Sequence, residues 1–155
     1  MNLKNEKLFK QECFINGDWV KSNDNQTLDV NNPSSLEIIG TVPKCGKEET
    51  KIAIEAANSS WDDWKARPAI ERSALLRKWF NLIESNHEDL AQIMTMEQGK
   101  PITESRGEIT YGASFVEWFA EEAKRVYGDI IPDRLTDRRI VVIKQPVGVV
   151  CAITP

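Results

Sequence analysis

The amino-acid sequence predicts an α/β protein, and three observations support this class. The first 40 residues carry turn-forming residues between short β-type segments, as β-hairpins do. From residue 47 to residue 127, apolar side chains instead recur at steps of three and four, the period of amphipathic helices. Residues 147–153 then form an almost unbroken apolar run, which is typical of a strand buried on both faces of a parallel sheet.

Two β-hairpins are predicted near the N-terminus. The segment FINGDWV, residues 14–20, has Asn16-Gly17 at its centre, a pair that accepts the positive φ angles of a type I′ turn. A second strand pair is predicted at 28–30 and 36–39. These segments flank NNPSS, in which proline fixes φ and the asparagine and serine side chains hydrogen-bond to their own backbone.

Four helices are predicted between residues 47 and 128. The first presents a face of small residues that ends in Trp61 and Trp64. Pro68 and Pro101 suit the first turn of the second and fourth helices, where a missing N–H costs no hydrogen bond. Gly99 is the expected C-cap of the third helix. The apolar positions of the last three helices are Leu75, Leu76, Trp79, Leu82 and Ile83; Leu90, Ile93 and Met94; and Ile109, Phe115, Val116, Phe119, Ala120 and Ala123.

The last part of the sequence predicts a return to β structure. Residues 133–138 are a polar connection, and residues 139–144 are a β-branched strand. Residues 148–153 are a second strand, which needs neighbouring strands on both sides if it is to be buried in a parallel sheet.

Charge and hydropathy exclude several classes of partner. The net charge of −4 and the isoelectric point of about 5.2 give no whole-molecule attraction to nucleic acid or to an anionic membrane. No apolar run reaches the roughly 18 residues of a transmembrane helix, and the N-terminal residues MNLKNEKLFK lack the apolar core of a signal peptide. We therefore expect a cytoplasmic protein with neither a nucleic-acid nor a membrane partner.

The cysteines and the single histidine do not form a recognisable metal or disulfide pattern. Cys13, Cys45 and Cys151 are far apart in the sequence and have no CxxC spacing, so three reduced thiols are expected. His87 follows Asn86 and precedes two acidic residues, a composition that predicts a solvated residue at the start of a helix.

The sequence contains no GxGxxG, phosphate-loop, HExxH or GxSxG motif. Glu104 and Glu108 lie four residues apart on one predicted helix, where a solvated acidic face accounts for them. Aromatic residues cluster further along the same helix, and two interpretations stay open for them: the lining of an apolar pocket, or ordinary core packing. They are Tyr111, Phe115, Trp118 and Phe119.

Five stretches, taken together, resemble the N-terminal part of the aldehyde dehydrogenase superfamily. They are FINGDWV, NNPSSLEIIGTVP, AIEAANSSWDDWKARPAIERSALLRKW, MTMEQGKPITESRGEI and VIKQPVGVVCAITP, in this order, and they extend over residues 14–155. Within the superfamily, MEQGKP followed by YGASFVEWFAEEAKRVYGDIIP most resembles succinate-semialdehyde dehydrogenase of the bacterial type.

The resemblance implies a particular arrangement of the α/β fold: β-hairpins, four helices, an oligomerisation strand and the first strand of a Rossmann-like cofactor domain. Residues 1–137 would be the N-terminal part of the cofactor-binding domain. Residues 138–146 would be the oligomerisation strand. Residues 147–155 would be the first strand of the cofactor-binding sheet.

The resemblance also implies oxidation of an aldehyde with NAD or NADP, and of succinate semialdehyde to succinate in the complete enzyme. That chemistry needs a nucleophilic thiolate, an oxyanion hole, a hydride acceptor and a base that activates water. In the family, the nucleophilic cysteine, the general-base glutamate and the lysine that contacts the cofactor ribose all follow the motifs matched here. We therefore expect an N-terminal fragment with no catalytic residue, inactive alone and binding neither cofactor well.

The resemblance assigns a few binding positions. Ile153, Thr154 and Pro155 match family positions that lie against the cofactor. Tyr111 and Phe115 match the helix that flanks the substrate tunnel, with core packing as the alternative.

Two further positions follow from the resemblance. Glu97 matches a position near a monovalent-cation site in some relatives, beside backbone around Val30 and Asn31; a solvated residue in the last turn of a helix is the alternative. Residues 139–144 match part of an oligomerisation hairpin. The strand edges at 139–144 and 148–153 are expected to favour self-association or pairing with another chain.

Two alternatives to the succinate-semialdehyde interpretation stay open. One is a stand-alone, non-catalytic module that pairs with a complementary chain, and the other is a different aldehyde dehydrogenase subfamily. Because the helices would cover sheet strands outside these residues, we expect part of their apolar stripe to be exposed, with Trp61, Trp64, Trp79 and Phe115 among the candidates.

Overall fold

A computed structural model describes residues 1–154 of the chain. These residues form six short strands and five α-helices, after one turn of 3₁₀ helix at Glu6–Leu8. The strands are β1 (Cys13–Ile15), β2 (Asp18–Val20), β3 (Thr27–Asn31), β4 (Ile38–Pro43), β5 (Asp129–Ile131) and β6 (Ile140–Val142). The helices are α1 (Lys47–Ser59), α2 (Trp61–Ala66), α3 (Ala69–Ser85), α4 (His87–Gln98) and α5 (Ile102–Glu122). Consecutive strands pair into three separate antiparallel hairpins.

The first hairpin forms as predicted. Asn16 and Gly17, between β1 and β2, have φ angles of 54° and 91°, the positive values that a type I′ turn requires. Phe14 and Trp19 stand opposite each other in the register, and their ring centroids are 5.3 Å apart. The cross-strand aromatic pair therefore supports the register that the turn sets.

The second hairpin also forms, but its second strand begins further along the sequence than predicted. Leu36, which we placed in a strand, has a φ of 64°, and its N–H donates to the carbonyl of Asn32 at 2.8 Å. A left-handed backbone cannot continue a strand, so β4 begins only at Ile38. A register shift between Val30 and Asn31 marks a bulge at the end of β3.

The first predicted helix is divided into α1 and α2, so the described residues contain five α-helices rather than four. The hydroxyls of Ser59 and Ser60 both donate to the carbonyl of Ala56, at 2.8 and 3.2 Å. Serine hydroxyls that bond to a carbonyl in the preceding turn compete with the helical ladder. The helix breaks at Ser60 and restarts at Trp61.

The core lies where α3 and α4 pack against α5. Apart from Asp89, its buried side chains are small: Ser73 of α3, Ala91 of α4, and Ser105, Ala113 and Ala120 of α5. Small side chains at these positions allow the helices to approach closely. The Thr95 and Ser105 hydroxyls are 2.8 Å apart across the contact between α4 and α5, which gives the fully buried Ser105 hydroxyl a hydrogen-bond partner.

Charged side chains tie α3 to α5 at the edge of this core. The guanidinium of Arg77 donates to the carboxylates of Glu117 at 2.6 Å and Glu121 at 2.7 Å. A hydrogen bond from Lys124 and the bond from Arg77 lower the pKa of Glu121 to about 2. The helix pair is therefore joined by an ion-pair network as well as by packing.

The C-terminal residues depart from the prediction. Of residues 139–144, only Ile140–Val142 is a strand, and it pairs with β5, which the sequence did not predict. Residues 148–153 do not form the predicted strand. No strand of the described residues lies beside them to supply a hydrogen-bond ladder, and Val147 and Ile153 are 92% and 94% exposed. Without neighbouring strands, the apolar run forms no ladder and stays open to solvent.

Candidate functional site

An open apolar groove lies between α3, α4 and α5, with a volume of about 790 Å³. It forms because the small core residues bring the three helices together while their larger apolar side chains point outward beside the contact. Its lining residues are Asn5, Leu8, Trp79, Leu82, Ile83, Asn86, Leu90, Met94, Glu108, Ile109, Tyr111, Gly112, Ala113 and Phe115. An apolar concavity with a few polar groups is suited to an apolar ligand or an apolar protein surface.

The structure places Tyr111 and Phe115 together on this groove. Their ring centroids are 4.9 Å apart at an interplanar angle of 84°, an edge-to-face contact. Tyr111 is 65% exposed and Phe115 is 48% exposed. Within the described residues, therefore, the two rings line an open surface and are not core residues. Their assignment to a substrate tunnel stays a prediction.

The expected exposure of the apolar stripe is confirmed for three of the four named side chains. Trp79 of α3 is 56% exposed, and Trp64 and Phe115 are also exposed. Trp61 is half-buried. Burying apolar area yields roughly 25 cal/mol per Å², so large rings left in water favour association with a further apolar surface.

The two described residues of the predicted cofactor contact lie apart from the groove. Ile153 and Thr154 are exposed at the end of the extended C-terminal segment, and neither lines the groove. Pro155 lies outside the described residues. The backbone of residues 147–154 has no regular pairing, which fits a segment that could join a sheet. The prediction that these residues contact a cofactor stays untested.

Glu97 lies in the last turn of α4 and is largely exposed, whereas its neighbours Met96 and Gly99 meet the loop between β3 and β4. The amide of Asn32 in that loop is 3.8 Å from the sulfur of Met96, and a Cβ added at Gly99 would lie 2.8 Å from the ring of Pro33. Partial burial raises the pKa of Glu97. Residues 1–154 contain no group of three or more His, Cys, Asp or Glu side chains placed to hold a metal. The cation site near Glu97 stays a prediction.

Asp89 is a structural anchor that the sequence did not single out. This carboxylate, in the first turn of α4, is only 4% exposed. It accepts hydrogen bonds from the backbone N–H groups of Lys4 and Asn5, at 3.1 and 2.8 Å. Acidic residues are common in the first turn of a helix, so no local signal distinguishes Asp89 from its exposed counterparts.

His87 is more constrained than the predicted solvated residue. Its Nε2 lies 3.0 Å from both the carbonyl of Arg106 and the hydroxyl of Thr110 on α5. Beside it, the guanidinium of Arg106 donates two hydrogen bonds to the carboxylate of Glu88, at 2.8 and 2.7 Å. These bonds fix the start of α4 on α5 and give His87 a structural role.

Cys13 and Cys45 meet in space although they are far apart in the sequence. Their sulfur atoms are 3.7 Å apart, and both thiols are free and partly exposed. Cys151 is a separate, exposed thiol in the C-terminal segment. The expectation of three reduced thiols stays a prediction, and the distance between Cys13 and Cys45 in the sequence is not kept in the folded chain.

The fold and the groove define a structural scaffold, which consists of hairpins and of a helical layer whose apolar face is exposed to solvent. Among residues 1–154, none of the helices combines the length and the apolar character that crossing a membrane requires. A profile of the aldehyde dehydrogenase family matches residues 19–155. The chain belongs to the aldehyde dehydrogenase family, as the sequence motifs predicted.

Relatives of the chain include semialdehyde dehydrogenases. The chain is 57% identical over 155 residues to glutarate-semialdehyde dehydrogenase of Pseudomonas putida (strain KT2440), covering 100% of this chain and 32% of the relative. It is 52% identical over 155 residues to succinate-semialdehyde dehydrogenase [NADP(+)] of Escherichia coli (strain K12), again covering 100% of this chain and 32% of the relative. The chain therefore spans about a third of the length of these relatives, and the match lies in their N-terminal third.

The fold agrees with that of solved family members. The structure matches succinate-semialdehyde dehydrogenase from Burkholderia pseudomallei with a TM-score of 0.91 and 48% sequence identity, covering 96% of this chain and 31% of that one. The mixed α/β class is thereby confirmed, together with the hairpins and the helical layer as the N-terminal part of this fold. The division of the chain at residues 137 and 146 stays a prediction.

Proposed function

We propose that this chain supplies the N-terminal part of the cofactor-binding domain of an NAD(P)-dependent semialdehyde dehydrogenase that oxidises succinate semialdehyde to succinate. The observation that carries the proposal is the match of all 155 residues to semialdehyde dehydrogenases at 52% and 57% identity. Glutarate semialdehyde, which is one methylene longer, is the alternative substrate. A single methylene in an apolar pocket is worth about 10- to 200-fold in discrimination, so the two substrates are separable by kinetics.

In this proposal the chain's own residues build and orient the site. The groove beside Tyr111 and Phe115 receives the rest of the catalytic protein, and the two rings line the path of the aldehyde. The segment 147–154 joins the cofactor sheet as its first strand, so that Ile153 and Thr154, with Pro155, come to lie against the cofactor. Bound nicotinamide supplies a hydride acceptor. The nucleophile and the base come from the rest of the protein.

A complementation experiment tests this function. The chain is co-expressed with a tagged polypeptide comprising the part of the E. coli relative that follows the matched region. We expect the chain to co-purify with this polypeptide and the pair to reduce NADP⁺ when succinate semialdehyde is added, whereas each part alone is inactive. Parallel assays with NAD⁺ and with glutarate semialdehyde rank the cofactors and substrates. Semialdehyde oxidation by the chain alone would contradict the proposal.

A matched pair of variants tests the role of the groove. Leu82 in α3 and Ile54 in α1 are both exposed helical residues, but only Leu82 lines the groove. Leu82→Glu places a charge on the groove and is expected to abolish co-purification, because burying an unpaired carboxylate is costly. Ile54→Glu is the control and is expected to retain it. Equal loss of co-purification in both variants would show that the groove has no specific role in binding the rest of the protein.

A second candidate function is that of a non-catalytic module that pairs with itself or with a complementary chain. The hairpin β5–β6 favours it, because all six strand residues are exposed and each strand pairs on one side only. Free strand edges are templates for pairing. One free edge belongs to β6, within the segment 139–144 named from the sequence, and the other to β5; the segment 148–153, also named from the sequence, forms no strand.

The oligomeric state of the purified chain tests this second candidate. Ile143 is exposed and follows β6 directly, outside the ladder with β5. If pairing uses this edge, Ile143→Pro is expected to convert oligomers to monomers, because proline removes a backbone donor. Ile143→Thr is the control: threonine keeps the backbone donor, and the oligomer is expected to persist. A wild-type chain that is monomeric at all concentrations would rule out self-pairing.

A further inference from the structure

The pair of thiols at Cys13 and Cys45 lies outside the groove and outside the segments assigned to cofactor binding. Their sulfur atoms are 3.7 Å apart, across a sequence separation of 32 residues. A disulfide bond is about 2.05 Å long, so the sulfurs need to approach by only about 1.7 Å. Side-chain rotation accounts for movements of this size. The pair is thus close to the geometry of a cross-link while both thiols are still reduced.

The backbone on both sides of the pair is held in place. Cys13 lies in β1, opposite Val20 of β2. Cys45 lies between two anchored residues: the N–H of Lys44 donates to the carbonyl of Gln26 at 2.9 Å, and the N–H of Gly46 donates to the carboxylate of Glu49 at 2.9 Å. The proximity of the sulfurs is therefore built into the fold rather than produced by two mobile loops.

The surroundings of Cys45 favour its protonated thiol. Burial raises the pKa of the Cys45 thiol, and so do the hydrogen bond with Cys13 and the negative charges of Glu49 and Asp24. Both thiols are nevertheless partly exposed, so a small reagent reaches them. The raised pKa of Cys45 lowers its thiolate fraction, so the proximity of the two sulfur atoms, and not activation of the thiols, is what favours a disulfide here.

We propose that Cys13 and Cys45 form a redox modification site, which a low-molecular-weight disulfide oxidises to an intramolecular disulfide joining β1 to the turn before α1. In the first step, the thiolate of one cysteine attacks a sulfur of the reagent, whose S–S bond breaks and releases one small thiol. In the second step, the thiolate of the other cysteine attacks the resulting mixed disulfide and releases the second small thiol. Two protein thiols are oxidised, one small disulfide is reduced, and the two protons leave on the released thiols.

The cross-link would close a loop that contains β2, β3 and β4, and hence most of both N-terminal hairpins. A loop of this length constrains the unfolded chain enough to shift the folding equilibrium by on the order of 100-fold. The oxidised chain is therefore expected to unfold at a higher temperature than the reduced chain. This inference does not depend on the substrate or on the catalytic proposal, since it concerns the hairpin end of the molecule.

The test uses the folded, full chain and glutathione disulfide as the oxidant. We expect the intact mass to fall by two hydrogen atoms once any adduct on Cys151 has been accounted for. Peptide mapping is expected to recover a Cys13–Cys45 cross-link, which dithiothreitol reverses. Closure in the folded chain is expected to be on the order of 10-fold or more faster than in urea, because the fold orients the two thiols.

Two variants serve as controls. Cys151→Ser is expected to form the same cross-link, and Cys45→Ser is expected to stop at a glutathione adduct on Cys13. If Cys45→Ser does not fold, the proposal is tested by comparing the rate of disulfide closure in the folded wild type with the rate in urea. Separate adducts on Cys13 and Cys45, a cross-link to Cys151, or closure no faster than in urea would each overturn the proposal.

Discussion

Removal of the Asp89 carboxylate is the sharpest test of how the N-terminal segment is held. Asp89 accepts the N–H groups of Lys4 and Asn5 and is almost completely buried. Asp89→Ala removes both hydrogen bonds. Asp89→Asn keeps one oxygen acceptor but turns an NH₂ donor toward the second backbone N–H.

The expected magnitude follows from these two bonds. A hydrogen bond to a charged group contributes about 1.5–3 kcal/mol. Because the N–H groups of Lys4 and Asn5 regain water once the carboxylate is removed, we expect Asp89→Ala to cost about 2–3 kcal/mol and Asp89→Asn roughly half of that. With an unfolding m-value of about 1–3 kcal/mol per M of urea, the midpoint for Asp89→Ala should fall by on the order of 1 M.

Urea unfolding followed by tryptophan fluorescence measures this change, with Asp63→Asn, an exposed carboxylate of α2, as the control. Hydrogen exchange supplies a second readout, since both the Lys4 and Asn5 amides should lose protection in Asp89→Ala and one of them in Asp89→Asn. A stability of Asp89→Ala within about 0.5 kcal/mol of the wild type, with unchanged amide protection, would refute the anchoring role.

Two further predictions concern pH and glycine. Glu121, bonded to Lys124 and Arg77, has its pKa lowered to about 2, so its contribution to stability is complete above its ordinary pKa of 4.5 and is lost as the pH falls from there toward 2. Thermal unfolding across this range should therefore depend less on pH in Glu121→Gln than in the wild type, and equal slopes would contradict the ion-pair network. Gly99→Ala should destabilise the chain by about 1–2 kcal/mol, because Gly99 has a φ of 68° and an added Cβ would meet the β3–β4 loop. Gly107→Ala in α5 is the control, because an added Cβ there meets nothing within 4 Å, and it should stabilise the chain by about 0.5–1 kcal/mol. Equal effects of the two substitutions on stability would show that neither the positive φ of Gly99 nor the lack of space beside it is important.

The sequence predicted correctly those elements that depend on a few neighbouring residues. The turn at Asn16-Gly17 and the helix end at Gly99 depend on residues that accept positive φ, and both occur as expected. The long helices follow from a period that is visible in the sequence. By contrast, the break at Ser60 depends on hydroxyl groups that compete for a single carbonyl, and helical periodicity carries no information about that competition.

Non-local features were missed, or predicted only through the family resemblance. The strand 148–153 was inferred from its apolar composition, but a strand exists only where neighbours supply its hydrogen bonds. Asp89 and the Cys13–Cys45 pair join segments that are 84 and 32 residues apart, so no spacing rule finds them. The aromatic cluster predicted on α5 is divided by the packing of α3 and α4: Tyr111 and Phe115 line the open groove, whereas Trp118 and Phe119 do not.

The small buried side chains of α5 act as spacers that set the width of the groove. Ser105, Ala113 and Ala120 recur along one face of the helix at intervals of eight and seven residues, which is about two turns. Packed helices lie about 8–10 Å apart, depending on the side chains between them. Ala113 also lines the groove, whereas a larger residue at Ser105 or Ala120 would push a packed helix outward and widen the groove without altering its lining residues. Variation at two hidden positions could therefore change what the surface accepts.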